Sequence, residues 1–213
     1  MLKILINESD LIFHYGMKYF LRDFFWRRFM RIPEFLTDYT HENIVNADVI
    51  ILSLRNGERY TCIPGLQMRR QGIIIGLVDD IDTCKRSPAC FEDMIFIQRR
   101  ESLSSITQKL TIAWKNWLMN ETFTCHKTCL GCKYFKLSFQ QREIMARLYQ
   151  GRSVQEVATS LHLSYKTVAS HKYNVMRKFR LKNDHDLFRF LGMLSQKNET
   201  RLSLWASPQK RID

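Results

Sequence analysis

The sequence predicts two domains of different class, an α/β domain followed by an all-α one, and three observations carry the prediction. Its 213 residues exceed what one small module needs and suit two cores of ordinary size. Short β-branched apolar runs alternate with segments of helical spacing through the first 119 residues, the pattern of strands covered by helices on both faces. Beyond residue 137 the strand-like runs stop and the spacing is helical throughout. A composition of 45% apolar and 25% charged residues is globular and excludes a low-complexity or fibrous chain.

In the first domain, residues 1–119, the strand candidates are residues 3–6 (KILI), 49–52 (VIIL), 73–78 (IIIGLV) and 94–97 (MIFI). Helical spacing is clearest over residues 11–25, with Leu11, Tyr15, Tyr19, Phe20 and Phe24 on or near one stripe. It recurs over residues 102–119 through Leu103, Ile106, Leu110, Ala113, Trp114 and Trp117. Residues 120–136 mix Thr, Cys, His, Lys and Gly without periodicity and read as a linker. In residues 137–195, Ser138 is placed to cap a helix carrying Ile144, Met145 and Leu148, and Gly151 to end it. Residues 153–161 form a second, short helix through Val154, Val157, Ala158 and Leu161. Ser164 caps a third that ends near Arg180, and Asn183 or Asp184 starts a fourth with Leu187, Phe190, Leu191 and Leu194 on one side. Residues 196–213 read as a tail.

Charge is distributed unevenly between the domains. Residues 133–213 hold 16 Lys and Arg against 6 Asp and Glu, whereas the first 132 residues hold 17 against 15. A basic excess confined to the last third suits a polyanion, because each phosphate neutralised releases a condensed counterion. No apolar run approaches the roughly 20 residues of a membrane helix. With no secretory signature and six scattered cysteines, the expected location is the cytoplasm with thiols reduced. The chain has no Gly-rich phosphate loop, GxSxG or HExxH, so no enzymatic activity and no cofactor is expected. Asp79, Asp80 and Asp82 read as a solvated turn. Cys125, His126, Cys129 and Cys132 are chemically able to hold zinc or an iron–sulfur cluster. Without strand or hairpin context they are read as linker thiols, with metal binding or redox sensing as the alternative.

The third helix of the second domain keeps Val168, Val175 and Phe179 for the core. It leaves Lys166, Thr167, Ala169, Ser170, Lys172, Tyr173, Arg177 and Lys178 outside. Small residues at 169 and 170 permit close approach to base edges, while Lys166, Thr167 and Lys172 suit phosphates.

The stretch LSFQQREIMARLYQGRSVQEVATSLHLSYKTVASHKYNVMRKFRL resembles, without a gap, the helix-turn-helix of the LuxR/FixJ (GerE-like) regulators. Leu137, Glu143, Gly151, Glu156, Ala158, Leu161, Ser164, Lys166, Thr167, Val168, His171, Asn174, Met176 and Lys178 stand at its signature positions. Gln141 departs where Glu is usual, and Asp184 where Arg is usual. The resemblance implies double-stranded DNA as partner, Thr167 and the flanking lysines on the backbone, and Ala169, Ser170 and Tyr173 facing bases. His171, Arg177 and Lys178 complete the implied interface, and the last helix, from about His185, is the implied dimer contact.

The first domain resembles, more weakly, the flavodoxin-like receiver domain of response regulators. Such a domain needs paired acidic residues after strand one and a phospho-acceptor Asp after strand three. It also needs a hydroxyl after strand four and a Lys after strand five. Here Glu8 is flanked by Asn7 and Ser9, and Ser53 stands at the degenerate phospho-acceptor position. Leu77 or Val78 falls on the hydroxyl position, and Gln98 or Arg99 replaces the Lys. Magnesium prefers an octahedral oxygen set that these residues do not supply. The implied protein is a transcriptional regulator with a pseudo-receiver, acting without phosphorylation as a homodimer or as a heterodimer with another LuxR-type response regulator. A protein-interaction module that modulates such a regulator is the alternative. YKTVASHKYNVMRKF is similar to the corresponding stretch of enterobacterial auxiliary regulators that partner the Rcs response regulator. The aromatic-rich segment 20–29, with Asp186 and Arg189, is the expected pairing surface.

Overall fold

Isoleucine-rich runs bounded by polar residues form most of a parallel sheet. The computed structural model describes residues 1–80, 93–119 and 136–199. The chain divides into two units, Met1–Arg55 with Arg59–Tyr134, and Asn56–Glu58 with Phe135–Asp213.

In the first unit the described elements are β1 (Leu2–Asn7), α1 (Leu11–Phe29), β2 (Pro33–Leu36), α2 (His41–Asn46), β3 (Val49–Ser53), β4 (Ile73–Val78), β5 (Met94–Gln98) and α3 (Leu103–Met119). Short 3-10 turns at Glu58–Tyr60 and Pro64–Met68 join β3 to β4. All five strands run parallel in the order β2-β1-β3-β4-β5. Strand order reverses between β1 and β3, and in such doubly wound sheets functional crevices open at the carboxyl ends of the strands beside that point. Every residue of β4 is buried, which explains its uninterrupted apolar sequence.

Alternate strand residues feed two cores. Ile4, Ile6, Val49, Ile51, Ile75 and Leu77 meet Met17, Leu21, Phe24 and Phe25 of α1 and Ile106, Leu110 and Trp114 of α3. Leu5, Ile50, Leu52 and Ile74 meet Ile44 of α2 and Leu66 of the second turn on the other face. The Phe25 ring lies edge-on to Trp114, with centroids 5.0 Å apart.

The sequence expectations for α1 need correction. Leu11, Tyr15 and Tyr19 are exposed; the buried face is Met17, Leu21, Phe24 and Phe25. The helix is apolar around most of its circumference, so its spacing fits two stripes and periodicity cannot choose between them. Within segment 20–29 the phenylalanines are core material, since Phe24 and Phe25 are enclosed and Phe20 and Phe29 pack against them, while Arg22, Trp26, Arg27 and Arg28 are exposed. On α3, Ile106, Leu110 and Trp114 are buried as expected, and Leu103 at the helix start is exposed. β2 and α2 went unpredicted. A four-residue edge strand opening on Pro33 and a six-residue helix are too short to show a period.

Gly72, at φ +89°, holds the turn into β4. A Cβ there would sit 2.2 Å from the Asp48 carbonyl oxygen, which accepts the Ile73 N–H at 3.0 Å.

The second unit contains α4 (Phe139–Tyr149), α5 (Val154–Ser160), α6 (Tyr165–Lys178) and α7 (Asp184–Glu199). Ile144, Met145, Leu148, Val157, Ala158, Val168, Val175, Phe179, Leu187, Phe190 and Leu191 are buried.

At the start of α3, burial pushes the Glu101 carboxyl up. Hydrogen bonds from Lys109, Ser105 and the Gln98 N–H, with the Lys109 charge, outweigh it and hold the group below its ordinary value. A folded value below the unfolded one stabilises the fold above the ordinary carboxylate pKa, and the gain disappears as pH falls through the folded value. Glu101→Gln is therefore expected to lower the urea midpoint at neutral pH and to flatten its decline below about pH 4.3. Urea titrations across that range check this.

Candidate nucleic-acid interface

Helix ends set the geometry of the second unit. The Ser138 hydroxyl accepts the Gln141 N–H at 3.2 Å while the Gln141 side chain accepts the Ser138 N–H at 3.1 Å, a closed capping box on α4. The amide at 141 thus performs the task of the usual Glu. Ser153 and Glu156 repeat the box on α5. There the Ser153 N–H and hydroxyl hold the Glu156 carboxyl below its ordinary value. On α6 the Ser164 hydroxyl accepts the Thr167 N–H at 3.0 Å and lies 2.8 Å from the Thr167 hydroxyl.

Each of α4, α5 and α6 ends in a paired Schellman bond. Gly151 and Arg152 donate back to the carbonyls of Leu148 and Arg147, and His162 and Leu163 to those of Thr159 and Ala158. Arg180 and Leu181 donate to those of Arg177 and Met176. The left-handed residues are Gly151, His162 and Arg180. Two of these turns therefore use a residue with a Cβ where glycine is the usual choice, and neither was foreseen from sequence.

Val168, Val175 and Phe179 of α6 are buried, as expected, and Met176 joins them. Lys166, Ser170, Tyr173 and Arg177 are exposed together on the opposite side, flanked by half-buried Ala169 and Thr167. Asn174 shares this face and accepts from the Arg177 guanidinium at 3.0 Å. Sequence reading named it only as a signature position; its place four residues after Ser170 was the signal that puts it on this face.

Three predicted site residues lie off the face. Lys172 is half-buried and its ammonium is 2.6 Å from the Asp184 carboxylate at the start of α7. Lys178 donates to the Lys136 carbonyl at 2.5 Å. His171 is half-buried, and its Nδ1 is enclosed without a hydrogen-bond partner among the described residues. The seven-residue spacing that buries Val168 and Val175 turns these three toward the core flanks.

In the first unit, Ser53 closes β3 and meets Arg99, the residue after β5. The Arg99 Nη2 donates to the Ser53 hydroxyl and to the Glu8 carboxylate, both at 2.5 Å. Its Nε is 3.5 Å from Asp79, and the guanidinium lies 4.7 Å from the Phe13 ring centroid. The Glu8 side chain is only 1% exposed, so the Arg99 cation compensates a charge removed from water. Leu77 and Val78, at the switch-hydroxyl position, are buried and apolar. The Cys125, His126, Cys129 and Cys132 group lies outside the described residues.

A parallel sheet in receiver order and a capped four-helix unit that presents one basic helix define a response-regulator-like architecture. Residues 136–191 match the family described as bacterial regulatory proteins, luxR family, and the second unit is a LuxR-family helix-turn-helix domain. The chain is 42% identical over 53 residues to the transcriptional regulatory protein UhpA of Escherichia coli (strain K12), covering 25% of this chain and 27% of that one. It is 25% identical over 156 residues to the oxygen regulatory protein NreC of Staphylococcus epidermidis, covering 72% of this chain. The chain thus spans about a quarter of UhpA and 66% of NreC. Among solved structures it shares the fold of RcsB from Salmonella enterica serovar Typhimurium bound to promoter P1flhDC. That match has a TM-score of 0.58 at 21% identity, covering 91% of this chain and 98% of that one.

Gly151 is at φ +87° and a Cβ there meets nothing within 4 Å. Gly151→Ala is expected to cost about 1–2 kcal/mol from backbone strain alone, read as a lower thermal midpoint of the second unit with unchanged helical content by circular dichroism.

Proposed function

We propose that this protein is a sequence-specific DNA-binding transcriptional regulator of the cytoplasm, working as a homodimer or beside another LuxR-type regulator without phosphorylation of its receiver-like unit. The observation that carries the reading is the face of α6: a small residue, a tyrosine, an amide and two cations exposed together on a helix whose other side is core. Small and aromatic side chains reach base edges, and flanking cations meet phosphates. The LuxR-family match over the whole helical unit supports this assignment, as does the shared fold of RcsB, whose structures include a promoter complex and two dimers bound to two parallel DNAs. Pairing suits the energetics, since a single helix-turn-helix reads one half-site and two are joined for useful affinity. No helix among the described residues is long and apolar enough to cross a membrane.

The Arg99 cluster supports the phosphorylation-independent part. Ser53 is not the carboxylate that receiver phosphorylation uses, and its hydroxyl is already engaged by a guanidinium that also neutralises Glu8. That guanidinium stands among the groups that would otherwise attract a divalent cation.

Selection of bound fragments from a random double-stranded library by the full chain is expected to return a defined motif. Lys166→Ala and Arg177→Ala should weaken binding to all sequences and each lower the salt slope by roughly 1. Ser170→Ala and Tyr173→Ala should alter base preference. Lys172→Met should leave that preference intact, because Asp184 holds its charge. Recovery of no enriched motif would remove the reading.

Incubation of the full chain with a small phosphodonor and magnesium is expected to leave its intact mass unchanged. A phosphoryl adduct mapped to Glu8, Ser53 or Asp79 would contradict the phosphorylation-independent reading.

A further inference from the structure

α1 carries an exposed apolar stripe along its length. Leu11 (69%), Ile12 (87%), Tyr15 (66%), Tyr19 (77%), Trp26 (47%) and Met30 (70%) are all exposed. At about 100° per residue the five helical ones fall within a sector of roughly 100°, on the side away from Met17, Leu21 and Phe24, and Met30 is the left-handed residue that ends the helix. With aromatic side chains at about 150–250 Å² each, the stripe leaves on the order of 800 Å² uncovered. The largest apolar patch on an ordinary monomer is about 300–600 Å², whereas one partner of a standard interface contributes about 800 Å².

We propose that this stripe is the homodimer surface of the amino-terminal unit, occupied by α1 of a second copy running antiparallel across a two-fold axis. A two-fold contact must be self-complementary, and this sequence is. Antiparallel pairing about the helix centre sets Leu11 opposite Met30, Tyr15 opposite Trp26, and Tyr19 opposite exposed Arg22. The first two pairs are apolar, and the third brings a guanidinium to an aromatic ring, a cation–π contact. Gly16, with no atom within 4 Å of where a Cβ would stand, presents bare backbone beside the stripe. The surface rests on the pairing reading above and chooses the homodimer within it.

Sedimentation velocity of the full chain over a concentration series tests this. The wild type is expected to dimerise, and Tyr15→Glu with Tyr19→Glu to raise the dissociation constant at least tenfold. Both side chains are exposed, so the thermal melt at concentrations where the wild type is monomeric should be unchanged. The exchange Tyr19→Arg with Arg22→Tyr preserves the cross-axis pair and should keep the dimer, whereas Arg22→Glu alone should weaken it. A dimer indifferent to the double glutamate variant overturns the α1 surface while leaving pairing itself intact. A chain that stays monomeric at high concentration also overturns the proposal, and if it remains monomeric on the DNA fragments it selects, the pairing reading falls as well.

Discussion

Burial of Val168, Val175 and Phe179 fixes the rotation of α6, and the character of the second unit depends on that rotation. A turn of about 100° per residue leaves no freedom once three side chains are sealed. Lys166, Ser170, Tyr173, Asn174 and Arg177 are then outside, and Lys172, Lys178 and His171 are not. The same constraint converts two lysines from free cations into fastenings, one to Asp184 and one to the Lys136 carbonyl. Positive charge counted along a sequence therefore overstates what a helix offers to a polyanion.

The first unit solves a related electrostatic problem at the ends of its strands. Glu8 is enclosed, and an enclosed carboxylate demands a counter-charge. Arg99 supplies it from within the chain, with Ser53, Asp79 and the Phe13 ring around the same guanidinium. A fold whose crevice elsewhere suits exchangeable ligands here has an internal, covalently attached occupant.

Much of this was legible in advance. The runs that became β1, β3, β4 and β5 stand out as short β-branched apolar stretches, and Ser138 and Ser164 were readable as helix caps. The faces of α1 were not legible, because aromatic residues surround that helix and the choice of buried side is made by the sheet and Trp114. Nor was the pairing of Lys172 with Asp184, which joins residues on different helices. The role of Arg99 was half visible: its place after β5 could be read, whereas its simultaneous reach to Glu8 and Ser53 depends on strand ends converging in three dimensions.

The three short turns that close α4, α5 and α6 have a further consequence. Because Gly151, His162 and Arg180 each reverse the chain within a single left-handed residue, the helices that follow leave at angles set by covalent geometry rather than by slack connections. The orientational entropy of α6 is surrendered when the unit folds, not when it meets a ligand, so this helix arrives preorganised. On the DNA-reading role proposed above, differences among sequences become differences in fit to a rigid template, which favours selectivity over adaptability.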